Sequence, residues 1–194
     1  IAAARMGSNV ILTAYHSHLG GMSTSGLGKS DIENKEAIAG LFKEFTEKVL
    51  QFYIDKYGEN SDNVKRCKEG YYYEPSVAEL VFNQMTAEEK NIKILFNYQL
   101  EEVELNSGKI SRLGFKDRKT VENKFLKAEV FIDATYEGDV FALARAGYRL
   151  GREGKEEFGE KHAGYIFFDF NEKKFLEGGT GEGDEKLPAY TYRL

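Results

Sequence analysis

Asn9–Tyr15 (NVILTAY) runs directly into His16–Ser30 (HSHLGGMSTSGLGKS), and the reading of this junction decides the reading of the chain. The first stretch is short, apolar and β-branched, which is strand length and strand composition. The second carries glycine, serine and threonine where a strand would need bulk, so it reads as a loop. In α/β sheets, ligands sit outside the carboxyl ends of strands. A loop of small residues lets backbone N–H groups approach an anion, and hydroxyls add donors. The same composition also describes an ordinary surface loop.

Outward from the junction, strands and helices alternate. Glu33–Tyr57 carries Ile38, Leu41, Phe42, Phe45, Val49, Leu50 and Phe52 at helical spacing, which predicts an amphipathic helix. A polar insert, Gly58–Tyr73, ends in a tyrosine run. Glu74-Pro75-Ser76 opens a second helix over Val77–Lys90, with Pro in the first turn where its missing N–H costs nothing. Ile92–Phe96 reads as a strand. Gln99–Leu105, Lys109–Phe115 and Val121–Ala128 read as an antiparallel meander, the first joint being Asn106-Ser107-Gly108. Glu129–Asp133 (EVFID) reads as a buried strand and Asp139–Ala146 as a helix after it. The order predicts a doubly wound α/β sheet, with the loops Leu19–Gly28 and Ala134–Asp139 both leaving strand carboxyl ends.

The ends read differently. Ile1–Gly7 resembles the last turns of a helix stopped at Gly7, with no N-cap before it, so the expectation is that the helix begins upstream. Leu176–Glu185 reads as a glycine- and acid-rich loop and Leu187–Leu194 as a strand just beginning. The predicted division is a nucleotide-binding domain over 1–148 and the start of a substrate domain over 149–194.

Composition narrows the function. The chain has 194 residues and 27 Lys+Arg against 32 Asp+Glu, a net charge of −5. That balance, without a clustered basic run, argues against nucleic-acid binding. Fourteen Phe and 12 Tyr supply apolar area for a core. No segment has the length of an apolar membrane span. The lone cysteine, Cys67, excludes an internal disulfide. Compartment and oligomeric state are not written in the sequence.

Several residues invite competing readings. Ser23–Ser30 (STSGLGKS) matches a phosphate-binding P-loop except at its first glycine, and Val130–Asp133 could serve as the magnesium-holding strand of a nucleotide hydrolase. A P-loop, however, leaves its strand directly, whereas HSHLGGM intervenes here. His16 and His18 could begin a metal site with His162, or face solvent; the reading assigns no metal. Cys67 between Arg66 and Lys68 reads as an exposed thiol with a lowered pKa. Glu102 and Glu104 share a strand face that solvent explains. Tyr71–Tyr73 reads as packing. Arg152 and His162 are the polar residues best suited to chemistry.

ILTAYHSHLGGMSTSGLG, EPSVAELVF, VFIDATYEGDV and RAGYRLGRE together resemble FAD-dependent oxidoreductases of the glutathione-reductase-like Rossmann superfamily. The resemblance is closest to a bacterial branch with the patterns Leu-Gly-Gly-x-x-Thr-x-Gly and Asp-Ala-Thr-x-x-Gly-Asp. It spans nearly the whole chain, in order. It implies FAD as cofactor, a small-molecule substrate, and a Rossmann-like domain whose first strand and G-x-G-x-x-G fingerprint lie outside this stretch. It places Gly20, Gly21, Met22, Ser23 and Thr24 beside the pyrophosphate and toward the flavin. Leu100 would lie by the adenine, Ala134 and Thr135 against the nucleotide, and Asp139 near the ribityl or phosphate side. One position departs from the pattern: where the family's second strand ends in a ribose-binding acid, this chain has Ala14. A nucleotide-fold module that has lost its cofactor is therefore a third reading.

Overall fold

The computed structural model describes residues 1–187, which divide into two compact units: Ile1–Ile132 and a second beginning at Asp133. The strand expected at 187–194 lies outside the described residues after Leu187.

The first unit is organised by a parallel strand pair. β1 (Val10–Ala14) pairs with β2 (Ile92–Phe96) in register from Val10↔Ile92 to Ala14↔Phe96. A parallel pair cannot be joined by a tight turn, so the chain must cross over. It does so through α2 (Gly40–Tyr57) and α4 (Pro75–Ala87), which pack against each other. Phe45, Val49 and Tyr53 of α2 meet Val77, Ala78, Val81 and Met85 of α4 in one buried cluster. These positions recur at three- and four-residue spacing, as an amphipathic helix pair requires. Phe45 stacks on Phe82, with centroids 4.6 Å apart, and meets Tyr73 edge-on.

Before β1, α1 (Ala2–Arg5) ends at Gly7, whose φ of +93° suits glycine. Arg5 then joins three elements, donating to both oxygens of Glu44 on α2 and to Glu89 beyond α4. Asn91 donates to the carbonyls of Ala4 and Ser8, fastening the same turn to the start of β2.

After β2, β3 (Tyr98–Asn106), β4 (Lys109–Asp117) and β5 (Asn123–Leu126) form the antiparallel meander. Its register shifts between Leu100 and Glu102, a bulge that bends β3 one residue past Leu100. Glu104 and Glu102 flank Arg112, Glu104 at 2.6 Å, so the acidic face is partly neutralised across the strands.

Three expectations need correction. Residues 129–133 form no strand: Val130 and Ile132 are 74% and 79% exposed, and no described strand offers them a ladder. Apolar composition makes a strand only where a neighbour supplies hydrogen bonds and a covered face. The loop 134–139 consequently leaves no strand end. Second, α2 starts at Gly40, not Glu33, because a 3-10 turn over Lys35–Ala37, capped by Asn34, interrupts the pattern and Gly40 takes a φ of +62°. Third, Cys67 is buried, its thiol donating to the Val64 carbonyl. It closes α3 (Asp62–Arg66), a short helix capped by Ser61 inside the stretch read as a polar insert. Burial there turns the thiol inward, whatever charge its neighbours carry. Of the tyrosine run read as packing, Tyr71 and Tyr73 are buried, whereas Tyr72 is exposed.

The second unit is built on short elements: α5 (Asp139–Leu143), α6 (Lys155–Phe158), and the strands β6 (Phe168–Asp169) and β7 (Lys174–Phe175). The glycine-rich run 176–185 is no free loop. Leu176, Thr180 and Asp184 donate back to Phe167, Tyr165 and Arg152, and Lys155 donates to Gly181. Gly151 and Gly164 lie so close to the backbone of this returning run that neither position has room for a methyl.

Phe45→Ala removes the residue shared by the helix pair and the aromatic stack, and should cost about 3–5 kcal/mol. Urea unfolding followed by far-UV circular dichroism measures it; a loss below about 1 kcal/mol would contradict this account of the core.

Candidate functional site

The loop after β1 is held from two directions. Tyr15 and His16 leave the strand with their carbonyls occupied: Arg118 donates to Tyr15 at 3.0 Å and the Asn97 N–H to His16 at 3.2 Å. The Arg118 guanidinium also covers the Tyr15 ring at 3.8 Å. The chain then turns inward at Leu19, which is buried, and reaches Gly20 with a φ of +97°. A methyl at Gly20 would collide with Thr24 and come within 2.7 Å of Phe82. Glycine is needed here for conformation and space alike.

Gly21–Ser23 form one 3-10 turn. The N–H groups of Ser23, Thr24, Ser25 and Leu27 are used inside the loop, and the Thr24 hydroxyl donates to Leu19 at 2.6 Å. Thr24 is thus a clasp. The N–H groups of Gly21 and Met22 open the turn and have no partner among the described residues. Gly21 and Met22 are both exposed. Leu100 is half-buried next to the β3 bulge.

The segment read as a P-loop folds otherwise. Lys29 and Ser30 do not open a helix: Lys29 pairs with Tyr72 in an isolated bridge and forms an ion pair with Asp31 at 2.9 Å. Ser30 donates its N–H to Tyr71, and α2 begins only at Gly40. A phosphate-binding lysine has to sit at a helix start with its charge directed to the phosphates.

In the second unit, Asp133-Ala-Thr-Tyr-Glu-Gly-Asp139 is a closed structural device. Asp133 accepts from the Thr135 N–H and hydroxyl with one oxygen, and from the Phe141 N–H with the other. Thr135 in turn accepts from the Asp139 N–H at 2.8 Å. Burial raises the Asp133 pKa, but the hydrogen bonds from Thr135, Phe141 and Val140 outweigh it and hold the carboxyl below its ordinary value. Gly138 has a φ of +73°, and a side chain there would strike the Phe141 ring. Ala134, Thr135 and the Asp139 side chain stay exposed at the start of α5. Sequence reasoning placed Asp133 at a strand end; its work is to cap the turn.

Arg152 is half-buried and paired with Asp184, and its guanidinium lies 4.9 Å from the Tyr165 ring centre. His162 lies flat on Phe175, with centroids 3.7 Å apart and planes within 7°. In the first unit the His16 and His18 rings stack on each other at 5.5 Å. Among the described residues no group of three or more His, Cys, Asp or Glu is gathered as a metal would need. No helix among them is long and apolar enough to cross a membrane.

Comparison with known proteins settles the family. The family described as FAD dependent oxidoreductase matches residues 1–194. The chain belongs to this family. It is an oxidoreductase whose cofactor is FAD, and its mixture of helices with parallel and antiparallel sheets accords with an α/β FAD-binding protein. No curated protein and no solved structure matches it significantly. Nothing in these comparisons favours a nucleotide hydrolase or a module without cofactor. The loop's open main chain at Gly21 and Met22 fits the phosphate side of a flavin nucleotide, which needs donors and no side chains in the way.

The Asp133 device has a measurable signature. Because its folded pKa is lowered, its stabilisation is present above the unfolded value of about 4 and lost as pH falls through the folded value. Amide exchange at Phe141 should therefore be slow at pH 7 and accelerate in Asp133→Asn, the gap between the two proteins closing below pH ~4. An unchanged Phe141 amide in the variant at pH 7 would remove Asp133 from this role.

Proposed function

We propose that residues 1–148 form a doubly wound, Rossmann-like FAD-binding domain, that 149–194 open a substrate domain, and that the protein passes electrons between FAD and a small-molecule substrate. The observation that carries the reading is the Gly20–Thr24 loop. It follows β1 of a parallel β1–helices–β2 unit and is clasped by Thr24 against α4, with the Gly21 and Met22 N–H groups left outward. Family membership supports the cofactor.

On this reading each residue has a task its position permits. Gly20 lets the loop lie on Phe82, Gly21 and Met22 donate main-chain N–H to the pyrophosphate, and Ser23 and Thr24 hold the turn. Leu100, beside its bulge, presents backbone to the adenine. Ala134 and Thr135 lie against the nucleotide, Thr135 through its backbone because its hydroxyl is engaged with Asp133 and Asp139. Asp139 faces the ribityl or phosphate side. When bound, FAD supplies the two-electron chemistry itself. His162 can take or give a proton at an imidazole nitrogen, and Arg152 holds a positive charge fixed by Asp184.

Ala14 is the position at odds with the resemblance. It ends β1 opposite Phe96, and a methyl accepts no hydrogen bond from ribose hydroxyls. Ala14→Glu should therefore tighten FAD binding by about tenfold, roughly 1.4 kcal/mol, with the melting temperature unchanged. Unaltered affinity in a well-folded variant would mean that residue 14 does not face the ribose.

The proposal as a whole rests on a simple test. Protein incubated with FAD and desalted should retain the visible absorbance of bound flavin, and Lys29→Ala should retain it equally. A protein that takes up no FAD contradicts the reading, as does Mg-dependent ATP hydrolysis abolished by Lys29→Ala.

A further inference from the structure

The second unit holds a cleft of about 300 Å³, lined by Lys155, Lys161, His162, Ile166, Phe175 and the main chain of 176–181. Its charge is uneven. Arg149, Arg152 and Lys174 nearby have carboxylate partners, in Glu153 and Glu157, Asp184, and Glu172. Lys155 and Lys161 have none among the described residues, and the lining brings them one carboxylate, Glu177. Two lysines against one acid leave the cleft suited to an anion carrying about one negative charge.

Its shape is set by the elements described above. His162 is held flat on Phe175, which itself meets Phe168 edge-on, so the imidazole nitrogens lie on the free rim of a fixed ring. Gly178, Gly179 and Gly181 also line the cleft. Gly178 and Gly181 have φ of +98° and +68°, and Gly181 accepts from Lys155, which anchors the lysine backbone at the cleft edge. At these glycines a ligand can come close to main chain, between the Leu176, Glu177 and Thr180 side chains of the same run. Ile166, Leu176 and Phe175 add apolar surface. At this volume, the smallest for which ligand pockets are usual, the space suits a molecule of few carbons.

We propose that this cleft binds the carboxylate of a small organic acid, held by Lys155, Lys161 and the His162 rim with its hydrocarbon part against Ile166 and Phe175. A phosphoryl group fits less well, because its second negative charge would be left facing Glu177.

The chain has three histidines, so the His162 imidazole resonances can be assigned by His162→Gln and followed by NMR. Butyrate should shift them saturably, with a dissociation constant in the region of ~1 mM. Butyramide, the same shape without charge, should not. Lys155→Met combined with Lys161→Met should weaken butyrate by about tenfold or more while leaving the ligand-free His162 signal in place. No saturable shift, an equal response to butyramide, or tighter binding of inorganic phosphate overturns the proposal. The comparison of butyrate with butyramide decides the matter in the wild-type protein even if the double variant does not fold. No flavin enters the measurement, so this proposal and the flavin reading above fail separately.

Discussion

Gly20 sits against Phe82 and Thr24 with no room for a methyl, and the shape of the candidate loop Gly20–Thr24 depends on that contact. Phe82 is fixed by its stack on Phe45, and Phe45 by the α2–α4 pair that the parallel β1–β2 crossover requires. The core therefore reaches Gly20 through the Phe82 ring. Because the loop is pressed onto that ring and clasped by Thr24, its N–H groups are sorted: those of Ser23, Thr24, Ser25 and Leu27 turn inward, and those of Gly21 and Met22 stay open. A more mobile loop would have to be ordered on binding, at an entropic cost that this packing has already met during folding.

The second unit reaches order by another route. Its elements are short and its apolar burial modest, so main-chain hydrogen bonds carry more of the structure. The run 176–185 returns along Arg152, Tyr165 and Phe167, and glycines at 151 and 164 allow the backbones to touch. Asp133 caps one turn with both its oxygens, and Arg149 and Arg152 tie neighbouring carboxylates. Such a unit is sensitive to the charge state of a few acids, while the first is sensitive to the volume of a few rings.

What the sequence made legible follows from what is local. Helices α2, α4 and α5 and the β1, β2 and meander strands could be read because hydrophobic period and turn residues act over a few positions, whereas the short α3 and α6 could not. The Gly20–Thr24 stretch could be read as a loop from its glycines and hydroxyls, but not its contact with Phe82, which lies on a helix more than fifty residues away. Cys67 was misread because its flanking charges are local whereas its burial depends on packing against distant helices. Val130 and Ile132 look like a strand in isolation, yet strand formation is a property of pairs. Arg118, which clamps Tyr15 from over one hundred residues further on, left no signal that one sequence could show. Lys155 and Lys161 are ordinary surface lysines until the fold places them on one cleft, with Glu177 as its one lining carboxylate.

The account turns on where the phosphates of FAD meet the protein, and amide NMR reports that directly. On addition of FAD to the protein, the Gly21 and Met22 amides should move most within residues 1–132, with smaller changes at Ser23 and Thr24 and almost none at Lys29 and Ser30. Changes centred on Lys29 and Ser30, with Gly21 and Met22 unmoved, would contradict it.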